Sequence, residues 1–375
     1  MANTVSIDAM RPEIWGKDVW KNVMDNNYFA QGGLMGESEN NIIQIKNELT
    51  KSKGDTITVP LTAKLTGNGV NGDGEREGNE EKINAYSDSI LIDQKSFQVR
   101  LTGSLDEQKN AYNMREDAKN KLSLRLQEFL EMQFFLKLGG VNNVNLTDIA
   151  GNVVGTDCTW SNTPTAVPDA DCKAGYGKRY VCADYTNGAD SLAATDLLTP
   201  ELITRARIKA SLKQASGMPK VNPLRINGEN FYVMFIHPWQ GFDLKNNATF
   251  AQAQREAQVR GSSNPIFTGA LGVWDGVVLK EHEYVPFLDV SVAGDSFEGD
   301  GSLCDYAVDA FRAILCGQQA GVMAKAGKDK MVEKLFNYDS QVGYSVAFMG
   351  GIQKITFNSV DYGVVSVDTA ATALV

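Results

Sequence analysis

The sequence predicts an α+β fold, and three observations carry that expectation. Strand-like runs with period-two alternation appear near residues 56–62 and 97–101, and strand runs broken by Gly and Asn turns recur over 342–367. One long amphipathic helical stretch follows the first of these runs. A mixed region of helical and strand patterns separates that helix from the closing strands. Blocks of unlike elements in this order, without a regular β-α alternation, point to α+β rather than α/β. With 375 residues, 43% of them hydrophobic, the chain is long enough to bury a sizeable core in two domains or one insertion-rich fold.

From the start, residues 1–54 do not read as a packed domain. Short apolar clusters (Ile14 and Trp15, Val19 and Trp20, Tyr28 and Phe29, Ile42 and Ile43) alternate with Asn, Gly and charge. Gly32 and Gly33 make a flexible joint. Such a segment is either a frayed end or an arm that buries its aromatics against a neighbouring subunit. Residues 56–62 then alternate apolar and polar side chains, and Pro60 lacks a backbone donor, so an edge or free-standing strand is expected. Residues 97–101 alternate in the same way and read as the return strand. Between them lies a stretch of Gly, Asn and acid. From Gly67 to Asp93 there are seven acids and two bases, a balance of −5. A connection of about twenty residues with no core of its own is commonly functional, and an isolated hairpin is marginal in water.

Ser104 and Glu107 have capping-box spacing, which starts a helix. Ala111, Ala118, Leu122, Leu126, Phe129 and Phe134 recur at helical spacing, opposite Arg115, Glu116, Lys119, Lys121, Arg125 and Glu128. Gly139 and Gly140 stop it. About 33 helical residues span roughly 50 Å, enough to run the length of the molecule. Residues 141–198 change to Asn, Asp, Thr, Gly and Pro and read as an exposed insertion. Thr199 and Pro200 then open a helix, residues 231–236 form a continuous apolar run typical of a buried strand, 247–259 read as helical and 277–279 as strand. The small-residue stretch 307–326 reads as helical, and 342–367 as strands broken by Gly and Asn.

Composition and motifs exclude more than they suggest. Lys and Arg number 36 against 46 Asp and Glu, a net charge of −10, which disfavours sequence-independent binding to phosphate backbones. No secretory signal and no apolar run of the roughly 18–20 residues that span a membrane are found, so no membrane partner is expected. Five cysteines without a signal read as reduced thiols; none forms a Cys-x-x-Cys pair, so no zinc is expected. Gly67, Gly69 and Gly72 match the letters of a dinucleotide loop. They lead, however, into Asp73, Glu75 and Glu77, which repel phosphate and do not open a helix. The same acids lack the order and the distal Glu of a calcium-binding EF-hand. Of the two histidines, His282 lies between Glu281 and Glu283 on what reads as an exposed strand. There the two carboxylates point away from the imidazole. His237 comes after a buried strand with no Ser or Cys nucleophile motif beside it, and reads as a satisfied strand-end residue. No catalytic residue, cofactor or metal ligand is therefore expected, and the chain is read as a non-enzyme.

Several stretches taken in order resemble a known family: 54–60 leading into 77–82, Asp93 to Lys95 with Leu101 to Gly103, and Asp106 to Gln108. They continue through 134–138, His237 with Pro238, 264–269, 272–277 and 315–320. Together they resemble the major capsid proteins of tailed phages typified by the podovirus called N-four, with an HK97-like fold. That resemblance implies an N-terminal arm (1–54), an extended β-hairpin loop over the adjacent subunit (55–103) and a spine helix of a peripheral domain (104–140). It further implies an insertion (141–198), an axial domain (199–329) and return strands of the peripheral domain (330–375). It implies self-assembly as hexamers and pentamers into an icosahedral shell enclosing double-stranded DNA, inside the bacterial host cytoplasm. Expected partners are the chain itself, a portal protein, scaffolding and decoration proteins, and packaged DNA held without sequence-specific binding. The acidic balance fits a wall that tolerates dense DNA. Arg76, Glu77, Glu80 and Lys82, in the charged part of the loop tip, are the expected assembly contacts. A minor virion or decoration protein is the alternative reading.

Overall fold

The computed structural model describes residues 23, 26–49, 54–62, 65, 69–74, 76–103, 108, 109, 113–141, 179–184, 191–212, 220–226, 228–256, 270–288, 308–327, 330–338, 340–357 and 360–372. In chain order the first elements are α1 (Tyr28–Gln31), β1 (Met35–Gly36), β2 (Ile43–Leu49), β3 (Thr56–Thr62), β4 (Ala85–Leu91), β5 (Asp93–Arg100) and α2 (Met114–Gly139). The middle of the chain adds β6 (Tyr180–Cys182), α3 (Pro200–Ser211), β7 (Leu224–Ile226), β8 (Glu229–Ile236), α4 (Pro238–Asn246) and α5 (Ala248–Glu256). Then come β9 (Gly272–Trp274), β10 (Val277–Glu281), β11 (Phe287–Leu288), β12 (Ala310–Cys316) and β13 (Gly321–Ala326). β14 (Lys330–Phe336), β15 (Gln341–Lys354), β16 (Thr356–Phe357), β17 (Val360–Asp361) and β18 (Val364–Thr369) complete the order.

Two sheets carry the α+β fold. The six-stranded sheet runs β1-β2-β13-β15-β14, with β5 lying beside the first half of β15. The eight-stranded sheet runs β6-β18-β12-β8-β10-β9, with β11 on β12 and β7 on β8. Among the described residues β3 and β4 pair only with each other. Helix α2 packs between the sheets. Its start is capped by Asn113, whose side chain accepts from the Glu116 amide, and Glu116 and Asp117 face the positive helix end. Its end is set by Gly140 at φ 68°, a left-handed cap that costs glycine nothing. Ala118, Leu122 and Leu126 form a buried stripe, and from Phe129 to Gly139 every residue is buried. The helix therefore enters the core end-on and is amphipathic only in its first half.

An aromatic knot joins the pieces. Phe29 lies 5.2 Å from Phe134, 5.0 Å from Phe135 and 5.4 Å from Phe235, ring centre to ring centre, in tilted and edge-on geometries. Strand β8 explains the continuous apolar run of its sequence. Phe231, Val233 and Phe235 face the core shared with α2, while Tyr232, Met234 and Ile236 face α3, α4 and α5. Two buried ion pairs pin the sheets. Arg312 on β12 makes two bonds to Asp368 on β18 (2.8 and 2.7 Å), reaches the Gly139 carbonyl at the end of α2 (3.3 Å), and shares Asp368 with the Tyr180 hydroxyl (2.9 Å). Lys354 meets Asp361 at 3.0 Å, both fully buried. Desolvation and attraction nearly cancel for such pairs, so their main effect is to penalise any arrangement that separates the partners.

Several sequence expectations are corrected. The 97–101 run is not the return strand of the hairpin: β4 pairs with β3, and β5 joins β15. The 307–326 stretch is two buried strands, β12 and β13, not a helix, because an apolar run buried on both faces has no diagnostic period. The described part of the spine helix is 26 residues, about 39 Å, starting at Met114; the Ser104 capping box lies outside the described residues. The leading segment is partly core: β2 pairs with β13, and Phe29, Ile42 and Ile43 are buried in the chain's own interior, while Trp15 and Trp20 lie outside the described residues. The insertion ends in core as well, since Tyr180, Val181, Cys182, Leu192 and Leu198 are buried and β6 runs parallel to β18. The sheets also cross the sequence boundary at 329/330: β13 belongs to the six-stranded sheet and β18 to the eight-stranded one.

Candidate assembly interface

The β3–β4 hairpin is anchored at its base and free beyond it. Ile57 and Ile90 face each other in register and are buried against Val322, Ala324, Ile355, Phe357 and Val360. Asp88 on the same inner face accepts from the Thr356 amide at 2.9 Å. Burial then falls along the strands: Val59, Leu61 and Tyr86 are half-buried, while Leu65 and Ile83 past the strand ends are 60% and 62% exposed. Pro60, opposite Ser87, sits in a sheet with no third strand among the described residues, in keeping with its missing donor.

At the tip the four expected contact residues fall in one exposed turn. Arg76, Glu77, Glu80 and Lys82 are all exposed, and among the described residues none forms an ion pair. Glu80 has an internal task that the sequence did not reveal: its Oε2 accepts from the Gly78 amide at 2.8 Å. The Asn79 amide closes on the Arg76 carbonyl at 3.2 Å, and Gly78 takes φ 89°, where a Cβ would be strained. The turn is locally organised, yet its charges face outward.

Both histidines are structural. His237 caps α4: its Nδ1 accepts from the Trp239 amide (3.4 Å) and its own amide donates to Gln240 (3.1 Å). His282 is not on an exposed strand; it stacks 4.5 Å from the Phe135 ring, with Tyr28 at 4.5 Å. Burial pulls both imidazoles down to about 4, so they are neutral near pH 7 and face no nucleophile. Cys182 and Cys316 are buried, and burial pushes both thiols up, away from reactivity; Cys158, Cys172 and Cys304 lie outside the described residues. Among the described residues no cluster of three His, Cys, Asp or Glu could hold a metal ion, and no helix is long and apolar enough to cross a membrane.

One contact set escaped sequence reasoning. The segment leading into α1 is strapped to α2: the Tyr28 amide donates to Glu131 (2.7 Å), and Gln127 donates to the Asn26 carbonyl (3.0 Å). Desolvation raises the Glu131 carboxyl, with Glu128 and Glu283 adding to it. These partners are about a hundred positions apart, so no local pattern announces them.

A chain with its own core and a hairpin extended past that core suits a subunit that meets copies of itself, and comparison with known proteins gives the class: structural subunits of phage capsid shells with an HK97-like fold. The sequence model of the phage capsid protein family matches residues 3–373, and the chain belongs to that family. It is a phage major capsid protein, a structural component of the virion shell and not an enzyme. A major capsid protein of Pseudomonas phage KPP25 is 28% identical over 369 residues, covering 96% of this chain and 94% of that protein. The capsid of Ralstonia phage GP4 superposes with a TM-score of 0.75 at 26% identity, over 99% of this chain and 94% of that one. The capsid of cyanophage Pam1 shares the fold, with a TM-score of 0.70 at 22% identity over 99% and 95% of the two chains. These matches favour the shell-forming role over a minor virion or decoration protein.

Proposed function

We propose that the chain assembles as hexamers and pentamers into an icosahedral shell around double-stranded DNA, and that the β3–β4 hairpin is the strap that holds neighbours together. The observation behind this reading is the hairpin itself: its base is buried, but at its tip Leu65 and Ile83 are exposed, and Arg76, Glu77, Glu80 and Lys82 are exposed and form no ion pair among the described residues. Many such contacts, each weak, close a shell when symmetry repeats them. The six-stranded sheet with the outer half of α2 then forms the peripheral part. The eight-stranded sheet with α3, α4 and α5 forms the axial part. Assembly would take place in the bacterial host cytoplasm with portal and scaffolding proteins, decoration proteins could join the shell, and the −10 charge keeps the wall from gripping packaged DNA.

The test is negative-stain microscopy and light scattering of the overexpressed protein. Shells, tubes or capsomers are expected; a chain that stays monomeric even with its phage's scaffolding protein would overturn the reading. Glu80→Lys should lower particle yield while leaving the monomer's melting temperature within a few degrees of wild type. Equal particle yield from Glu80→Lys and wild type would remove the tip from the interface.

A further inference from the structure

The six-stranded sheet has two unlike faces. Towards α2, strand β15 presents Val342, Tyr344, Val346 and Phe348, all buried. Away from α2 the same strand presents Gly343, Ser345, Ala347 and Met349, small residues apart from a Met that is 37% exposed. The flanking strands are in register across this open face. Gly343 lies between Arg100 on β5 and Lys334 on β14, and Ser345 between Gln98 and Val332. The result is a trough with a backbone-like floor, walled by longer side chains.

One end of the trough carries a cation pair. The guanidinium carbon of Arg100 lies 4.5 Å from the centre of the Phe336 ring, and Lys334 Nζ lies 5.1 Å from the same centre. The ring covers Gly343, where an added Cβ would come within 2.7 Å of it. One aromatic ring therefore holds two like charges against it. Arg100 donates to the neutral Gln341 side chain, and among the described residues neither cation has an acidic partner. Strand parity puts no Asp or Glu of β5, β14 or β15 on this face. Glu333, next to Lys334, points to the helix side, where it faces Lys119. In a chain of net charge −10, an exposed, unneutralised pair on a flat trough is a receptor for an anion.

We infer that this cation pair receives the acidic hairpin turn of a second copy of the chain. The occupant follows from complementarity. Residues 65–84 carry five acids (Asp73, Glu75, Glu77, Glu80, Glu81) and two bases (Arg76, Lys82), net −3. They also carry exposed apolar side chains, Leu65 and Ile83, that suit the Val332 and Met349 walls. The proposal rests on the assembly reading and adds the receiving surface: the carboxylates of the 77–81 turn meet Arg100 and Lys334, while the backbone of the turn lies over Ser345, beside the Phe336 ring.

A charge-swap series tests it. Set one is Arg100→Glu with Lys334→Glu; set two is Glu77→Lys, Glu80→Lys and Glu81→Lys; the third protein combines both. Particle yield is read by sedimentation at low salt, with thermal melts and circular dichroism as the folding control. Each set alone should cut yield at least about tenfold with the monomer melt unchanged, and the combination should recover most of it. Wild-type yield from either set alone, or a combination no better than its parts, overturns the contact while leaving the assembly reading in place. Set-one particles that form normally but retain less nucleic acid also overturn it and assign the cations to DNA phosphates. A wild-type control that forms no particle removes the assembly reading, and with it this contact.

Discussion

Replacing Ile90 with alanine should release the hairpin and spare the rest of the fold. Ile90 is 1% exposed and is the deepest hairpin residue in the patch formed with Ile57, Val322, Ile355, Phe357 and Val360. The substitution removes Cγ1, Cγ2 and Cδ1. At about 0.8 kcal/mol per buried carbon the lost transfer energy is roughly 2.4 kcal/mol. A cavity that only partly collapses adds about 1 kcal/mol, for a total of about 3–4 kcal/mol. Nearly all the hairpin's remaining contacts are half-buried, so this loss is a large share of what docks it. At tenfold per about 1.4 kcal/mol, a loss near 3 kcal/mol makes amide exchange in β3 and β4 faster by on the order of 100-fold. Exchange in β12 and β15 should stay at wild-type rates, and particle yield should fall because a loose strap loses its preorganisation. Native-state hydrogen exchange read by mass spectrometry resolves these segments. Equal acceleration in β12 would mean that hairpin and core open as one unit, and no acceleration in β4 would mean that the patch is not the anchor; either result refutes the reasoning.

Other expectations come from the buried charges and imidazoles. Folding keeps His237 and His282 at about 4, below the usual 6.5, so the unfolded chain takes up protons that the folded one refuses. Their contribution is therefore constant above about pH 6.5 and destabilising as pH falls towards 4, where it reaches about 3 kcal/mol for each. The raised Glu131 carboxyl works in the opposite direction, because the folded state binds its proton more readily. His237→Asn, which replaces the capping Nδ1 with an acceptor oxygen, should flatten the fall in melting temperature between pH 6.5 and 4 by roughly half. Arg312→Leu leaves Asp368 buried without its cation and should cost about 3–5 kcal/mol in urea unfolding. The double variant Arg312→Leu with Asp368→Leu should cost less than Arg312→Leu alone, and a double variant that is worse would contradict the near-cancelling balance assigned to this pair.

How much of the fold was legible in the sequence depended on how local each cause was. The run 231–236 announced β8 because both faces are buried, and α2 announced itself through Ala118, Leu122 and Leu126 at helical spacing. β12 and β13 did not, because Ala310, Ala313, Ala320 and Ala324 suit a helix as well as a strand crowded by neighbours. The true return strand was hidden by Asp88: a carboxylate on the inner face breaks the apolar alternation, and only the Thr356 amide explains why it is there. Residues 97–101 alternate more cleanly because Phe97 and Val99 face α2, not β3. The tip charges were visible as composition, whereas the Arg100 and Lys334 pair was not. Those two cations lie more than 230 positions apart in sequence and meet only through the register of β15.

The position of β18 sets a condition on when a subunit becomes usable. This strand lies between β6 and β12 in the interior of the eight-stranded sheet, and its Asp368 is the carboxylate on which Arg312, Tyr180 and through them the end of α2 converge. During synthesis those groups wait, unsatisfied, until residues 364–369 have left the ribosome. Non-local pairing of this kind delays the final condensation of the core until that strand has been made. A polypeptide interrupted before residue 364 lacks a rung between β6 and β12 and leaves Arg312 without the Asp368 carboxylate. The fold thus makes a closed eight-stranded sheet, with its arginine neutralised, the condition for a usable tile.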